Sequence, residues 1–168
     1  GAQQHLDDDR WFHSTTGFYE TTGQLTRLFR EVLGAEDGAR CPFLGHIVAE
    51  LQLDGHLIER FPKHLDRYYE LLDEVDPDAI EESVNLMAKK TSDRLSWLIT
   101  RFYGEQFMRD YTSPSRLRFR LNQIMLRVRL EKLPDTIEHA LARSWDIVGE
   151  RFSDLLPANH FQLSDITL

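Results

Sequence analysis

The sequence predicts an all-α, single-domain helical bundle of about six to seven helices. Apolar residues recur at 3.6-residue spacing along most of the chain, while strict apolar–polar alternation is almost missing. Glycines and prolines interrupt that pattern at short intervals, so helices follow one another through short loops and pack antiparallel.

The opening Gln3–Ser14 is polar and acidic, and Trp11 and Phe12 make residues 1–14 an arm packed on the bundle. The bundle domain spans 15–157, and residues 158–168 form a tail. The first bundle helix runs from about Thr15 to Leu33 on Phe18, Leu25, Leu28, Phe29 and Val32, and Gly34 stops it. Asp37-Gly38 signals a turn, and Pro42 is suited to a first helical position because its φ is already set. The second helix continues from Pro42 to about Arg60. The third, Pro62 to Glu74, uses Leu65, Tyr68, Tyr69, Leu71 and Leu72. Asp76-Pro77-Asp78 opens a fourth that ends near Lys89. Thr91-Ser92-Asp93 caps a fifth carrying Leu95, Trp97, Leu98, Ile99, Phe102 and Tyr103. Ser113-Pro114 opens a sixth through Leu130, and Leu133-Pro134-Asp135 a seventh that reaches Leu156 before Pro157. No internal repeat or low-complexity stretch occurs.

Composition narrows the function. A net charge of −8 argues against general nucleic-acid binding, which needs a basic surface. The single cysteine, Cys41, has no internal partner, no apolar run reaches membrane-spanning length and no signal-peptide pattern opens the chain. A soluble, cytoplasmic protein is expected. The chain starts Gly1-Ala2 rather than with methionine, so an expression remnant and native residues upstream are expected. Charge is uneven: between Ser113 and Lys132, Arg116, Arg118, Arg120, Arg127, Arg129 and Lys132 face one acid, Glu131. A basic helix of this kind can receive an acidic partner, or pair with acids of its own chain.

The chemistry concentrates on the second helix. With 100° per residue and His46 at zero, Leu57, Phe43, Ile47, Ile58, Leu51 and Leu44 fall between roughly 20° and 160°. That arc is expected to face the core, with Glu50 near ~40° and Asp54 near ~80° inside it. His56, Gln52, Glu59 and Gly45 then face water. An inward row of His46, Glu50 and Asp54 needs an arginine, a donor network or a metal, because an isolated buried charge is costly. Imidazole plus carboxylates at this spacing suits zinc, manganese or iron. If the arm is helical, Asp9 and His13 share one face and can meet that row. The candidate set is therefore His13, His46, Glu50 and Asp54 as metal ligands, Asp9 and Asp54 as catalytic carboxylates, and Arg118, Arg120 and Arg127 for a substrate phosphate. The same arginines could instead neutralise the carboxylates in a structural ion-pair network. His5, His56, His64, His139 and His160 read as surface or structural residues. No Gly-rich phosphate loop, Gly-x-Ser-x-Gly elbow, paired-cysteine motif or His-Glu-x-x-His is present.

Two stretches, Asp9-Arg10-Trp11-Phe12-His13 with Phe18, and Phe43-Leu44-Gly45-His46-Ile47-Val48-Ala49-Glu50-Leu51-Gln52-Leu53, resemble the acyl carrier protein phosphodiesterase family. That family is all-helical and distantly related to HD-type metal phosphohydrolases. Leu117, Leu121, Met125 and Arg127, then Ile137, Leu141, Trp145, Phe152 and Leu155-Leu156-Pro157, are similar in layout. In the resemblance His46 and Glu50 occupy the two acidic positions of a later Asp-x-x-x-Asp-His motif. His46 thus replaces an acid, Leu51 replaces the histidine, and no Arg-x-x-Asp follows His13. The resemblance implies a metal-dependent phosphodiesterase acting on the phosphopantetheine linkage of an acidic carrier protein, with the Arg116–Arg129 helix as the dock. A phosphorylated small molecule is the other substrate class, and a homodimer is possible. The competing reading is a non-catalytic interaction or scaffold bundle that uses exposed Tyr68, Tyr69, Phe107 and Tyr111.

Overall fold

A computed structural model describes residues 2–34 and 40–157. Among these the chain forms α1 (Ala2–Ser14), α2 (Thr16–Leu33), α3 (Arg40–Arg60), α4 (Pro62–Asp73), α5 (Pro77–Met87) and α6 (Leu95–Glu105). A 3-10 segment (Phe107–Thr112), α7 (Pro114–Arg127), α8 (Ile137–Glu150) and the short α9 (Phe152–Leu155) complete it. No strand occurs among the described residues, so the all-α expectation holds. No helix among them is long and apolar enough to cross a membrane. The expected Asp37-Gly38 turn, the tail and His160 lie outside the described residues.

Local chemistry accounts for most boundaries. The Thr15 hydroxyl accepts the Phe18 N–H and donates to the Phe12 carbonyl, closing α1 and opening α2 in one corner. Gly34 ends α2 at φ 92°, a conformation that disfavours any side chain. Pro62, Pro77 and Pro114 sit in the first turns of their helices. Asp76 caps α5 through the Asp78 and Ala79 amides. The start of α6 is capped from a distance: the Glu81 carboxylate accepts the Leu95 and Ser96 amides at 2.6 and 3.0 Å, in place of the expected Thr91-Ser92-Asp93 cap. The arm is a full helix, the condition under which Asp9 and His13 share one face. Pro42 falls inside the first turn of α3 rather than at its first residue, where its missing N–H still removes no intrahelical bond. The sixth expected helix stops at Arg127 and the seventh breaks at Arg151.

α3 is the hub: α2 lies along it, α8 and the 3-10 segment pack on its flanks, and α4 meets its end. Leu25 and Phe29 of α2, Leu44 and Val48 of α3, Leu117, Leu121 and Met125 of α7, and Ile137, Leu141 and Val148 of α8 form the sealed core. The inward face of α3 is nearly opposite to the expected one. Its buried residues are Arg40, Cys41, Leu44, Gly45, Val48, Ala49, Gln52, Leu53, Gly55 and His56, whereas His46 is exposed and Glu50 and Asp54 are partly covered. Close approach explains the reversal. A Cβ on Gly45 would lie 2.7 Å from the Thr22 carbonyl oxygen and closer still to the Thr26 hydroxyl. At Gly55 a Cβ would lie 2.6 Å from the Trp145 ring. The glycine seam admits α2 and α8 where bulky side chains would hold them off. The polar residues on that seam bond to α8: the Gln52 amide donates to the Leu141 carbonyl at 2.8 Å, while its Oε1 is buried without a donor among the described residues, and His56 stacks on Trp145 with Nε2 2.9 Å from its carbonyl oxygen.

α5 and α6 pack on each other and contribute no buried residue. Leu86, Met87, Trp97 and Leu98 stay exposed there. Of the aromatics expected to build an interface, Tyr68 is exposed and Phe107 half-buried, but Tyr69 and Tyr111 lie in the interior. Val32 and Leu71, expected to be inward, are exposed.

Candidate metal centre

Because the Thr15 corner folds α1 back over α2, Phe12 packs on Phe18 with ring centroids 4.8 Å apart. That contact carries His13 to the middle of α3. His13 Nε2 stands 2.8 Å from Glu50 Oε1, and His46 Nε2 stands 3.1 Å from the same oxygen. The imidazole centroids are 4.9 Å apart, and the Phe18 ring meets both edgewise at 4.8 and 5.1 Å. The three donor atoms lie within 4.8 Å of one another. Asp9, one helical turn before His13, places a carboxylate oxygen 3.6 Å from its Nδ1.

This is a set that a divalent ion fits. Two imidazole nitrogens and one carboxylate are the three protein ligands of an open zinc-type site, and ligand atoms around such an ion stand about 3.3 Å apart. The two separations to Glu50 Oε1, 2.8 and 3.1 Å, reach that with shifts of a few tenths of an ångström, and the two imidazole nitrogens lie within 4.8 Å of each other. With His13 bound through Nε2, its Nδ1–H points toward Asp9, the outer carboxylate that commonly fixes a ligand histidine. His46 is nearly half exposed, so solvent reaches the centre.

The structure thus gathers His13, His46 and Glu50, with Asp9 behind them. Asp54 does not join: it lies a turn further along α3, and its carboxyl is pushed up to about 6 by desolvation first and by the Glu50 charge second. No arginine pairs with Glu50 or Asp54 among the described residues. Arg118 binds Glu138 at 2.8 Å and also Asp135, while Arg120 binds Asp110 and Glu105, each at 2.6 Å. Arg120 and Arg127 line a groove between α6 and α7. The expected phosphate arginines therefore belong to another face, two of them serving as structural ion pairs.

A different pair of arginines borders the centre. A cleft of about 570 Å³ opens beside His46 between α2, the start of α3 and the α8–α9 break, and Arg27 and Arg151 line it with Thr22 and Thr26. Arg151 is paired with Glu20 and Asp154, yet its Nε–H is buried without an acceptor among the described residues. Arg27 has no ion-pair partner among them. Tyr19, Gly23 and Arg27 recur every four residues along α2, a face that could have been read as a polar lining. Arg151 carried no such signal, because a break between two helices delivers it.

The fold and the centre define a helical bundle with a two-histidine, one-carboxylate cluster at its surface. No protein-family model, curated protein or solved structure matches the chain.

Proposed function

We propose that this chain is a metal-dependent hydrolase of phosphoesters, with His13, His46 and Glu50 as ligands to zinc, manganese or iron. The observation that carries the reading is the convergence of His13 Nε2, His46 Nε2 and Glu50 Oε1 from two different helices. A divalent ion held by three protein ligands supplies Lewis acidity and a hydroxide near neutral pH. Asp9 orients His13. Arg27, which lines the adjoining cleft without an ion-pair partner among the described residues, would bind phosphate oxygens, whose charge grows during displacement. The resemblance to acyl carrier protein phosphodiesterases agrees with this substrate class. The acidic carrier protein is the finer form of the proposal: with Arg118 and Arg120 engaged by acids of the chain itself and Arg116 3.6 Å from Asp110, Arg127 and Arg129 remain the exposed bases of that dock. A non-catalytic interaction module is the second reading, favoured by the apolar exterior of the α5–α6 hairpin.

Elemental analysis of protein purified without chelators tests the first reading. Near-stoichiometric metal is expected, lost in His13→Ala, His46→Ala and Glu50→Gln, together with hydrolysis of an aryl phosphodiester whose KM rises in Arg27→Ala. Protein that stays empty after incubation with each of the three ions would sink it and leave the interaction module.

A further inference from the structure

One helical turn beyond Glu50, the lower half of α3 borders a groove unrelated to the metal cluster. Leu57 and Ile58 of α3, Phe61 at the corner, Leu65 and Tyr68 of α4, and Met108 of the 3-10 segment enclose about 310 Å³. The walls are almost wholly apolar, and the polar side chains reaching them are Asp54, His64 and the Tyr68 phenol. No lysine or arginine lines the space. The nearby Arg109 is taken by Asp66 at 2.6 Å.

Asp54 is the anomaly. A carboxylate removed from water normally recovers its lost hydration from a cation or from N–H and O–H donors. Among the described residues Asp54 has no hydrogen-bond donor and no ion-pair partner, and Glu50, the charge nearest to it in effect, carries the same sign. A desolvated carboxylate at the end of an apolar groove is complementary to one kind of small molecule. It must carry donors and positive charge at one end and apolar surface along the rest.

We propose that this groove binds a small primary ammonium compound with an apolar tail, its –NH3+ group on Asp54 and its tail along Leu57, Ile58, Leu65 and Met108. The ammonium brings three donors to a carboxylate that has none, and the neighbouring Glu50 adds attraction. The Phe61 and Tyr68 rings supply faces that favour a cation passing over them. The tail displaces water from aliphatic walls. The volume is at the lower end of the range that holds drug-sized ligands, which suits a single chain or ring. Fatty carboxylates of the same shape are repelled by Asp54. The site does not rest on the metal reading, since neither His13 nor His46 contributes to it.

Calorimetric titration of the whole chain at mildly alkaline pH tests this, with butyl-, hexyl- and octylammonium, octanol and octanoate as probes. Affinity should rise with ammonium chain length, octanol should bind about tenfold or more weaker than octylammonium, and octanoate should not bind. Asp54→Asn, which keeps the side-chain shape, should bring octylammonium down to the octanol level. NMR of the methyl groups should show octylammonium shifting Leu57, Ile58, Leu65 and Met108 in the unsubstituted protein. Equal binding of octylammonium and octanol, an Asp54→Asn variant that keeps its ammonium affinity, or shifts confined to other residues would each overturn the proposal.

Discussion

Asp54 makes the most quantitative demand on this structure. Its carboxyl is raised from 3.8 to about 6, chiefly because burial penalises the charged form and secondarily because Glu50 repels it. The folded chain therefore holds a proton that the unfolded chain releases between those two values, and stability must fall as pH rises through that window. Well below 3.8 both states are protonated and the ionisation penalty is absent; above about pH 7 both are ionised and the full penalty applies. Roughly two pH units correspond to about 3 kcal/mol. Asparagine keeps the shape without the charge but still buries an amide, so Asp54→Asn should gain about 1–3 kcal/mol at neutral pH. Urea unfolding of both proteins from pH 4 to pH 8 measures the difference directly. The two stabilities should nearly coincide at the acidic end and separate toward neutrality, with the variant the more stable. A constant gap, or a variant less stable at pH 7, would show that Asp54 has a partner in the folded chain and would refute the reasoning. A stabilising substitution of a partly buried residue also says something about function, since a penalty retained in the fold is common where a ligand removes it.

Other consequences follow from the packing and from the cluster. Gly55→Ala should destabilise by about 1–3 kcal/mol although alanine is the better helix former, because its Cβ would meet the Trp145 ring at 2.6 Å and the Tyr111 carbonyl oxygen at 3.2 Å; a more stable variant in urea unfolding contradicts the seam. Hydrogen exchange should be fast across Pro77–Glu105 and slow in α2, α3 and α8, because neither α5 nor α6 buries a residue; equal protection would mean that the hairpin is covered in solution. Zinc, manganese or iron should raise the Tm in proportion to the logarithm of its free concentration and a chelator should reverse this, with no response in His46→Ala. The same metal should slow amide exchange in the last turn of α1, because that helix reaches the bundle mainly through Trp11, Phe12 and His13; no change there would remove His13 from the ligand set.

The helices were legible in the sequence because their ends carry strong local chemistry. Pro62, Pro77 and Pro114 set φ in first turns, Gly34 accepts φ 92°, and Asp76 caps its helix with its own side chain. These signals act over three or four residues and are written beside the boundary they make. The α6 cap was not legible, since Glu81 reaches it from 14 residues upstream. The division of the last helix was equally hidden: α8 and α9 share an uninterrupted apolar pattern across Arg151.

The site shows the same limit in a more instructive form. α3 is apolar on both sides because four elements surround it, so a helical wheel has no single hydrophobic arc from which to choose an inward direction. Counting large side chains selects the arc of Phe43, Ile47, Leu51 and Ile58, which is only partly buried. The true inward face is recognised by small residues: Gly45, Ala49 and Gly55 lie along it and let α2 and α8 approach. A wheel built on large side chains therefore turns His46, Glu50 and Asp54 toward the core, whereas they stand at its edge. His46 and Glu50 still meet, because i, i+4 spacing places residues side by side whichever way the helix is turned. The consequence for chemistry is favourable. A fully buried row would have needed internal counter-ions, whereas a row at the rim can share Glu50 with His13 from α1 and still face the Arg27–Arg151 cleft. The glycine seam and the open cluster are two sides of one helix: the tight packing behind α3 leaves His46 and Glu50 on its outer side, where His13 of α1 meets Glu50.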